Sequence, residues 1–229
     1  SRAARAPGGE ELFANGPHIA TRAFEIGDVD LNKETSFGLE GFVRGRVGPA
    51  TLSVSVFQNW FDDYIYLQGT AAEEDDLPVF QFLQDDADYF GIEGEVQLPI
   101  VTGQAFGLTA DLRAQYVEAE LDDGTPLPRI PPFSALAALE ADAGAFDGRV
   151  EVQYFAEQND VAPFETTTDD FTFVNASVSF APIRGNETVR LMLQADNIFD
   201  VTGRRHTSFT KDFVPLTGRN FRVSLRTSF

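Results

Sequence analysis

The chain has only two histidines, His18 and His206. A neutral imidazole nitrogen suits Zn²⁺, and carboxylates commonly complete such a site. Glu25 and Asp28 follow His18, and Asp212 follows His206. His18, His206 and Asp212 are therefore the candidate metal ligands. No HxH or HxxxH spacing is present, so loop histidines with a structural role are the competing reading. A second chemistry is acid–base catalysis, with Asp85 and Asp86, or Asp122 and Asp123, set against His206. No GxSxG sequence occurs and spacing alone assembles no such set. The expectation is a non-enzyme with no resident cofactor.

The elements that would position these residues alternate with period two, as half-exposed strands do. Phe106, Leu108, Ala110, Leu112, Ala114 and Tyr116 interleave with Gly107, Thr109, Asp111, Arg113 and Gln115. Similar runs are read over about 34–46, 51–66, 79–98, 133–143, 149–157, 174–180 and 189–195. The last segment places Phe221, Val223, Leu225, Thr227 and Phe229 on one face, with Arg222, Ser224, Arg226 and Ser228 on the other. Short turns are expected at 47–50, at 99–103, near Gly144 and at Arg184-Gly-Asn186. Longer loops fall between the other strand ends.

Composition narrows the class. The formal charge is −19 and the pI about 4.3, which disfavours nucleic acid as a partner. There is no cysteine. No run of ~20 apolar residues could form a membrane helix. Mean hydropathy is only −0.16. A membrane barrel tolerates that value, because half of each strand faces water. The first residues lack the apolar core of a signal peptide, so an exported protein would have lost it or carry it in a longer precursor.

About nine strands, with short turns at one end and long loops at the other, describe an antiparallel transmembrane β-barrel. An odd number leaves the two ends on opposite sides, whereas bacterial single-chain barrels have even numbers. An open edge cannot face lipid. Ser1–Ala6 is then the tail of a preceding strand, too short to cross ~25 Å. The expectation is an incomplete barrel with a periplasmic C-terminus in the bacterial outer membrane.

Three local sequences carry a family resemblance. The first is Ser1-Arg-Ala-Ala-Arg-Ala-Pro7 with Glu10-Glu-Leu-Phe13 and Gly16-Pro-His18. The second is Leu127-Pro-Arg-Ile-Pro-Pro132. The third is Asn197-Ile-Phe-Asp200, followed by Pro215-Leu-Thr-Gly-Arg-Asn-Phe221 and the terminal Phe229. In order and spacing they resemble the TonB-dependent outer-membrane receptors. The resemblance implies that residues 1–229 are the C-terminal portion of a larger, 22-stranded barrel, contributing about nine to ten strands. It also implies partners: a plug and N-terminal barrel half carried elsewhere, the TonB system acting through the plug, and the barrel-assembly machinery. That machinery would read Phe229 and its apolar companions Phe221, Val223 and Leu225. The implied function is active uptake of a scarce nutrient such as zinc or a ferric siderophore. His18-Ile-Ala-Thr21 and Arg204-Arg-His-Thr-Ser-Phe209-Thr-Lys-Asp212 look most like the zinc-uptake branch. Competing readings are a passive porin or adhesin-type barrel, a soluble β-sheet binding module and, last, an outer-membrane hydrolase.

The remaining charged and aromatic groups take their roles from the barrel. Trp60, Phe61, Tyr64 and Tyr66 are expected to form an aromatic girdle at the lipid interface. Arg113, Arg149, Arg190, Arg222 and Arg226 are expected to point into the lumen. The acidic residues at 73–76, Asp85, Asp86, Asp88, Asp122, Asp123, Asp169 and Asp170 lie at or near loop ends. They could focus cations toward the mouth or bridge through divalent cations to lipopolysaccharide.

Overall fold

The computed structural model describes residues 1–183 and 189–227. The expected turn at Arg184-Gly-Asn186 and the terminal Ser228 and Phe229 lie outside the described residues. The short elements come first: β1 Arg2–Arg5, α1 Gly9–Phe13, β2 Asn15–His18 and β3 Ala23–Ile26. The wall strands follow as β4 Glu34–Val47, β5 Ala50–Glu74, β6 Leu77–Thr102, β7 Gly107–Leu121 and β8 Ser134–Ala143. They continue as β9 Phe146–Phe155, β10 Phe171–Phe180, β11 Val189–Asp196 and β12 Asn220–Thr227.

One antiparallel sheet runs β1-β4-β5-β6-β7-β8-β9-β10-β11-β12, each strand bonded to the next. The β2–β3 hairpin sits off this path, with β3 parallel to Phe80-flanking residues of β6. β1 falls within the Ser1–Ala6 segment read as strand, and pairs with β4 from Arg2 opposite Phe37 to Arg5 opposite Glu34.

Cross-strand register lines up the apolar residues of successive strands. Val43, Val54, Gly94, Ala114, Ala135 and Tyr154 lie opposite one another in turn. So do Val96, Leu112, Ala137, Val152 and Val174, and Val178, Leu193 and Val223. Side chains directly across a ladder share a face, so these rows make one continuous apolar band. Its members, including Leu39, Val43, Leu112, Leu139, Val150 and Val223, are exposed. The described residues place no second sheet over them. The other face carries Ser53, Ser55, Glu93, Glu95, Arg113, Gln115 and Gln153, which line a concavity of about 740 Å³.

Two-residue turns join β4 to β5 and β8 to β9, with Gly48 and Gly144 taking the positive φ they need. Gly91 serves differently: a Cβ there would come within 2.2 Å of the Phe57 ring.

β5 and β6 run well past the expected 51–66 and 79–98, for 25 and 26 residues. At ~3.3 Å per residue each is roughly 80 Å long, about twice what a tilted membrane crossing requires. The acidic stretch at 73–76 is the tip of this hairpin, where Asp75 and Asp76 both have positive φ.

A bulge interrupts the hairpin. Phe61 lies opposite Ala87, yet the next pair is Tyr64 with Asp85. Asp62 and Asp63 together stand against the single residue Asp86. Asp63 has φ 56°, its N–H donates to Asp86, and its carbonyl accepts from Gln84. One net extra residue moves every later side chain to the opposite face. The expected girdle is thereby divided. Trp60 stays on the apolar face, stacked on Phe37 at 5.8 Å. Phe61, Tyr64 and Tyr66 instead join Tyr89 against the buried cluster of Ala87, Ala119, Leu121 and Leu127. The Tyr89 hydroxyl donates to the Tyr64 hydroxyl at 2.8 Å. For those three residues the girdle reading is corrected: Phe61 faces inward by ordinary alternation from Trp60, and the bulge turns Tyr64 and Tyr66 to that same face.

Leu112 lies mid-band between Val96 and Ala137. Leu112→Arg is expected to cost about 2–4 kcal/mol, because the charge would lie in hydrocarbon. Ser55→Arg on the concave face should cost under about 1 kcal/mol. Urea unfolding from lipid vesicles reads both, and equal losses would reverse or abolish the facing assigned to the sheet.

Candidate functional site

At the end opposite the tight turns, the segments after β7, β9 and β11 fold onto one another around Glu165. Its carboxylate accepts the Arg129 backbone N–H at 3.1 Å and the Lys211 ammonium at 2.7 Å. The Nε2 of His206 lies 3.2 Å away. Thr168 meets His206 Nδ1 at 3.0 Å, so both ring nitrogens are engaged. His206 is only 3% exposed and Lys211 5%. Buried charges persist when paired and hydrogen-bonded, and this cluster meets that condition.

Arg129 extends the joint to the β5–β6 hairpin. Its guanidinium donates to the Leu67 carbonyl and lies 3.9 Å over the Phe209 ring. Phe209 in turn packs edge-on against Phe80 of β6. Asp212 accepts the Thr166 hydroxyl at 2.9 Å. Arg22, from the β2–β3 turn, lies 4.3 Å over Phe213. The segments bearing His18 and His206 therefore do meet, through Arg22 and Phe213 rather than through the imidazoles.

The candidate metal ligands have separate surroundings. His18 is exposed, with its Nδ1 2.9 Å from the buried Glu25 carboxylate. That hydrogen bond holds the imidazole above its usual range. Asp212 is bonded to Thr166, and His206 to Thr168 and Glu165. Among the described residues, no three His, Cys, Asp or Glu side chains gather as a metal-ligand set. Of the acid–base partners considered for His206, Asp85 accepts the Asp86 N–H, Asp86 the Asp63 N–H and Asp123 the Thr125 N–H, whereas His206 bonds to Thr168 and Glu165.

The motif residues at the strand ends act as staples. Arg5 forks between Glu11 of α1 and Glu34 at the start of β4, at 2.8 and 2.9 Å. Glu34 also accepts the Ile65 N–H, so three segments are joined. Asn197 is 2% exposed with φ 48°. Its side chain bonds both ways to Val201 and also donates to the Thr217 carbonyl.

On the concave face Asp111 is buried between Arg113 at 3.0 Å and Arg149 at 3.4 Å. Arg149 also contacts Glu140 and Glu151, and Arg190 contacts Asp147 and Ser179. Arg222 and Arg226 share that face by register, opposite Gln194 and Arg190.

A sheet with one apolar and one polar face, stapled loops at one end and tight turns at the other, is the wall of a transmembrane β-barrel. The chain belongs to the TonB-dependent receptor family: residues 1–198 match the family described as TonB dependent receptor-like, beta-barrel. Members of this family are transport receptors of the outer membrane. The fold is similar to the copper transporter OprC, with TM-score 0.84 and 20% identity over 100% of this chain and 37% of that one. It is also similar to the FrpB iron transporter from Neisseria meningitidis, at TM-score 0.67 and 15% identity over 91% and 33%. The siderophore receptor PirA from Acinetobacter baumannii aligns at TM-score 0.66 and 16% identity over 100% and 38%. The chain thus spans 33% to 38% of the length of these structures.

Glu165 and Thr168 were not singled out by sequence, and Arg129 and Lys211 lay within resemblance segments without an assigned role. The local sign of Glu165 is an ionisable group beside the apolar Ala162-Pro-Phe164.

Burial works against ionisation of Glu165, but the bonds from His206 and Lys211 outweigh it and hold the carboxyl at about 2, against 4.5 unperturbed. A lowered folded-state value stabilises above the unfolded one and is lost as pH falls through the folded one. Protection factors for amides in 162–168 and 204–213 are expected to fall between pH 4.5 and about 2. Glu165→Gln should weaken protection at neutral pH and remove that pH step; a step that persists in the variant would assign it to another group. Asn197→Ala should cost about 2–4 kcal/mol, from a positive φ and lost buried hydrogen bonds. Thermal unfolding in detergent checks this, and a loss under about 0.5 kcal/mol would remove Asn197 from the list of staples.

Proposed function

We propose that residues 1–229 form the C-terminal part of the barrel of a TonB-dependent receptor that takes up a scarce metal ion or metal chelate. The observation that carries this reading is the pairing of a polar concave wall with a crown of loops locked by buried ion pairs. Such a crown presents a defined capture surface, whereas a passive pore needs only an open lumen. The similarity in fold to proteins named as copper and iron transporters supports the cargo class. Zinc is one member of that class, suggested by the segments around His18 and His206.

In this reading the loops face outward and the C-terminus is periplasmic. The plug and the remaining strands, carried by sequence outside these residues, complete the receptor. TonB acts through the plug, and lipopolysaccharide surrounds the upper rim of the apolar band. The barrel-assembly machinery receives the terminal segment of the sequence, with Phe221, Val223, Leu225 and Phe229. His18, exposed beside Glu25, is the better placed of the two histidines to touch a metal, while His206 serves the loop joint. Arg113, Arg149 and Arg190 hold the wall and shape the lumen through which cargo passes.

The test is cellular accumulation of zinc, copper and ferric chelates, measured by elemental analysis with and without the gene, before and after an uncoupler. Loss of the gene is expected to abolish uncoupler-sensitive accumulation of one of these at limiting supply. Entry that the uncoupler leaves intact would favour a passive pore. Unchanged uptake of all three would overturn the cargo class.

A further inference from the structure

Beside the Glu165 joint lies a separate cavity of about 130 Å³ between the β7–β8, β9–β10 and β11–β12 connections. Pro131 and Pro132 wall one side, Phe155 and Phe171 another, and Arg204, Arg205 and His206 a third. The two phenylalanine rings are stacked at 4.7 Å, which makes that wall apolar. Gln115, Ser134 and Phe155 also line the large concavity, so the cavity opens toward the concave face.

Charge singles out this place. Arg204 and Arg205 are the only adjacent pair of basic residues in a chain of 17 basic and 36 acidic side chains. Arg204 spends one nitrogen on the Lys211 carbonyl, which fixes its stem and leaves its other donors available. Among the described residues the Arg205 side chain has no ion-pair or hydrogen-bond partner. The wall has one carboxylate, Asp169, which is likewise in no ion pair among the described residues. Two guanidiniums against one carboxylate leave a net positive corner beside apolar walls. Guanidinium forks match the geometry of carboxylate and phosphate oxygens, and such charge-assisted bonds strengthen away from bulk water.

We propose that this cavity binds a small oxyanion, a phosphate or a short carboxylate, held by Arg205 with Arg204 against the Phe155–Phe171 wall. Its volume is about that of four waters at ~30 Å³ each, which admits a group of that size and excludes a large chelate as a whole. The oxyanion is either a free small molecule or the acidic group of something larger that reaches in from the concave face. The site does not depend on the transport reading, since an oxyanion could bind whether or not cargo is moved.

The experiment is calorimetric titration of the intact protein purified from outer membranes, with inorganic phosphate and with malonate as probes. Arg205 is exposed, so Arg205→Gln should leave folding unchanged, and Lys33→Gln removes the same charge away from the cavity. Saturable binding of either probe is expected in the unaltered protein and in Lys33→Gln. It should weaken at least tenfold in Arg205→Gln and partly recover in Arg205→Lys, which restores charge without the fork. Failure of phosphate and malonate to bind in either form, free or linked to a bulkier group, would overturn the site, as would equal weakening in the Arg205 and Lys33 variants. If free probes bind, the site is competent for small molecules. If malonate or phosphate binds only when linked to a bulkier group, as in a phosphate ester, and that binding is lost in Arg205→Gln, the larger ligand is supported.

Discussion

The structure rests on a requirement of hydrocarbon: no backbone donor or acceptor within it can go unpaired. A meander of neighbouring antiparallel strands meets that requirement along each ladder while freeing the side chains of one face to be apolar. Everything else is arranged around that sheet. The apolar band occupies the strand middles, and the charged groups are turned to the concave side or displaced beyond the band. On the concave side they neutralise one another, as Asp111 does between Arg113 and Arg149.

Beyond the band, stability has to come from elsewhere, since the loops lie outside the ladder for much of their length. Charge pairing at low exposure supplies it. Glu165 receives a backbone N–H, an ammonium and an imidazole from two other connections. Arg5 and Asn197 perform the same service for the β1–β4 segment and the β11–β12 loop. The residues that gave the sequence its family resemblance at Arg5, Glu11 and Asn197 are thus explained by what they hold together.

Most of the wall was legible because period-two alternation is a local signal, and β4, β7, β8 and β11 appear within a few residues of the expected limits. β2, β3 and α1 were not read, because four or five residues carry too little periodicity. The length of the β5–β6 hairpin was hidden because its outer half lacks the period-two pattern of the wall; Ile65, Leu67 and Val79 there are buried rather than exposed to lipid. The bulge at Asp62 and Asp63 was visible as two strand-averse residues in a strand, yet its effect on Tyr64 and Tyr66 depends on pairing with β6. The histidines illustrate the limit for sites. Sequence spacing identified His18 and His206 as chemically apt, but Glu165 lies 41 positions from one of them in the chain numbering and beside it in space. Nothing local to either residue foretells that contact.

The nearest-neighbour strand order bears on how the wall comes into being. From β4 to β12 each strand needs only the strand made just before it, so the loops to be closed are short and their entropic cost is small. Assembly can advance hairpin by hairpin from a growing edge, with each new strand covering the exposed bonds of the last. The exceptions are β1 with β4 and β3 with β6, which span intervening chain. Those two closures, and the loop joint at Glu165, have to wait until the strands beneath them are in place. The same order makes the wall modular: a hairpin's worth of sequence could be gained or lost in evolution without rerouting any other strand.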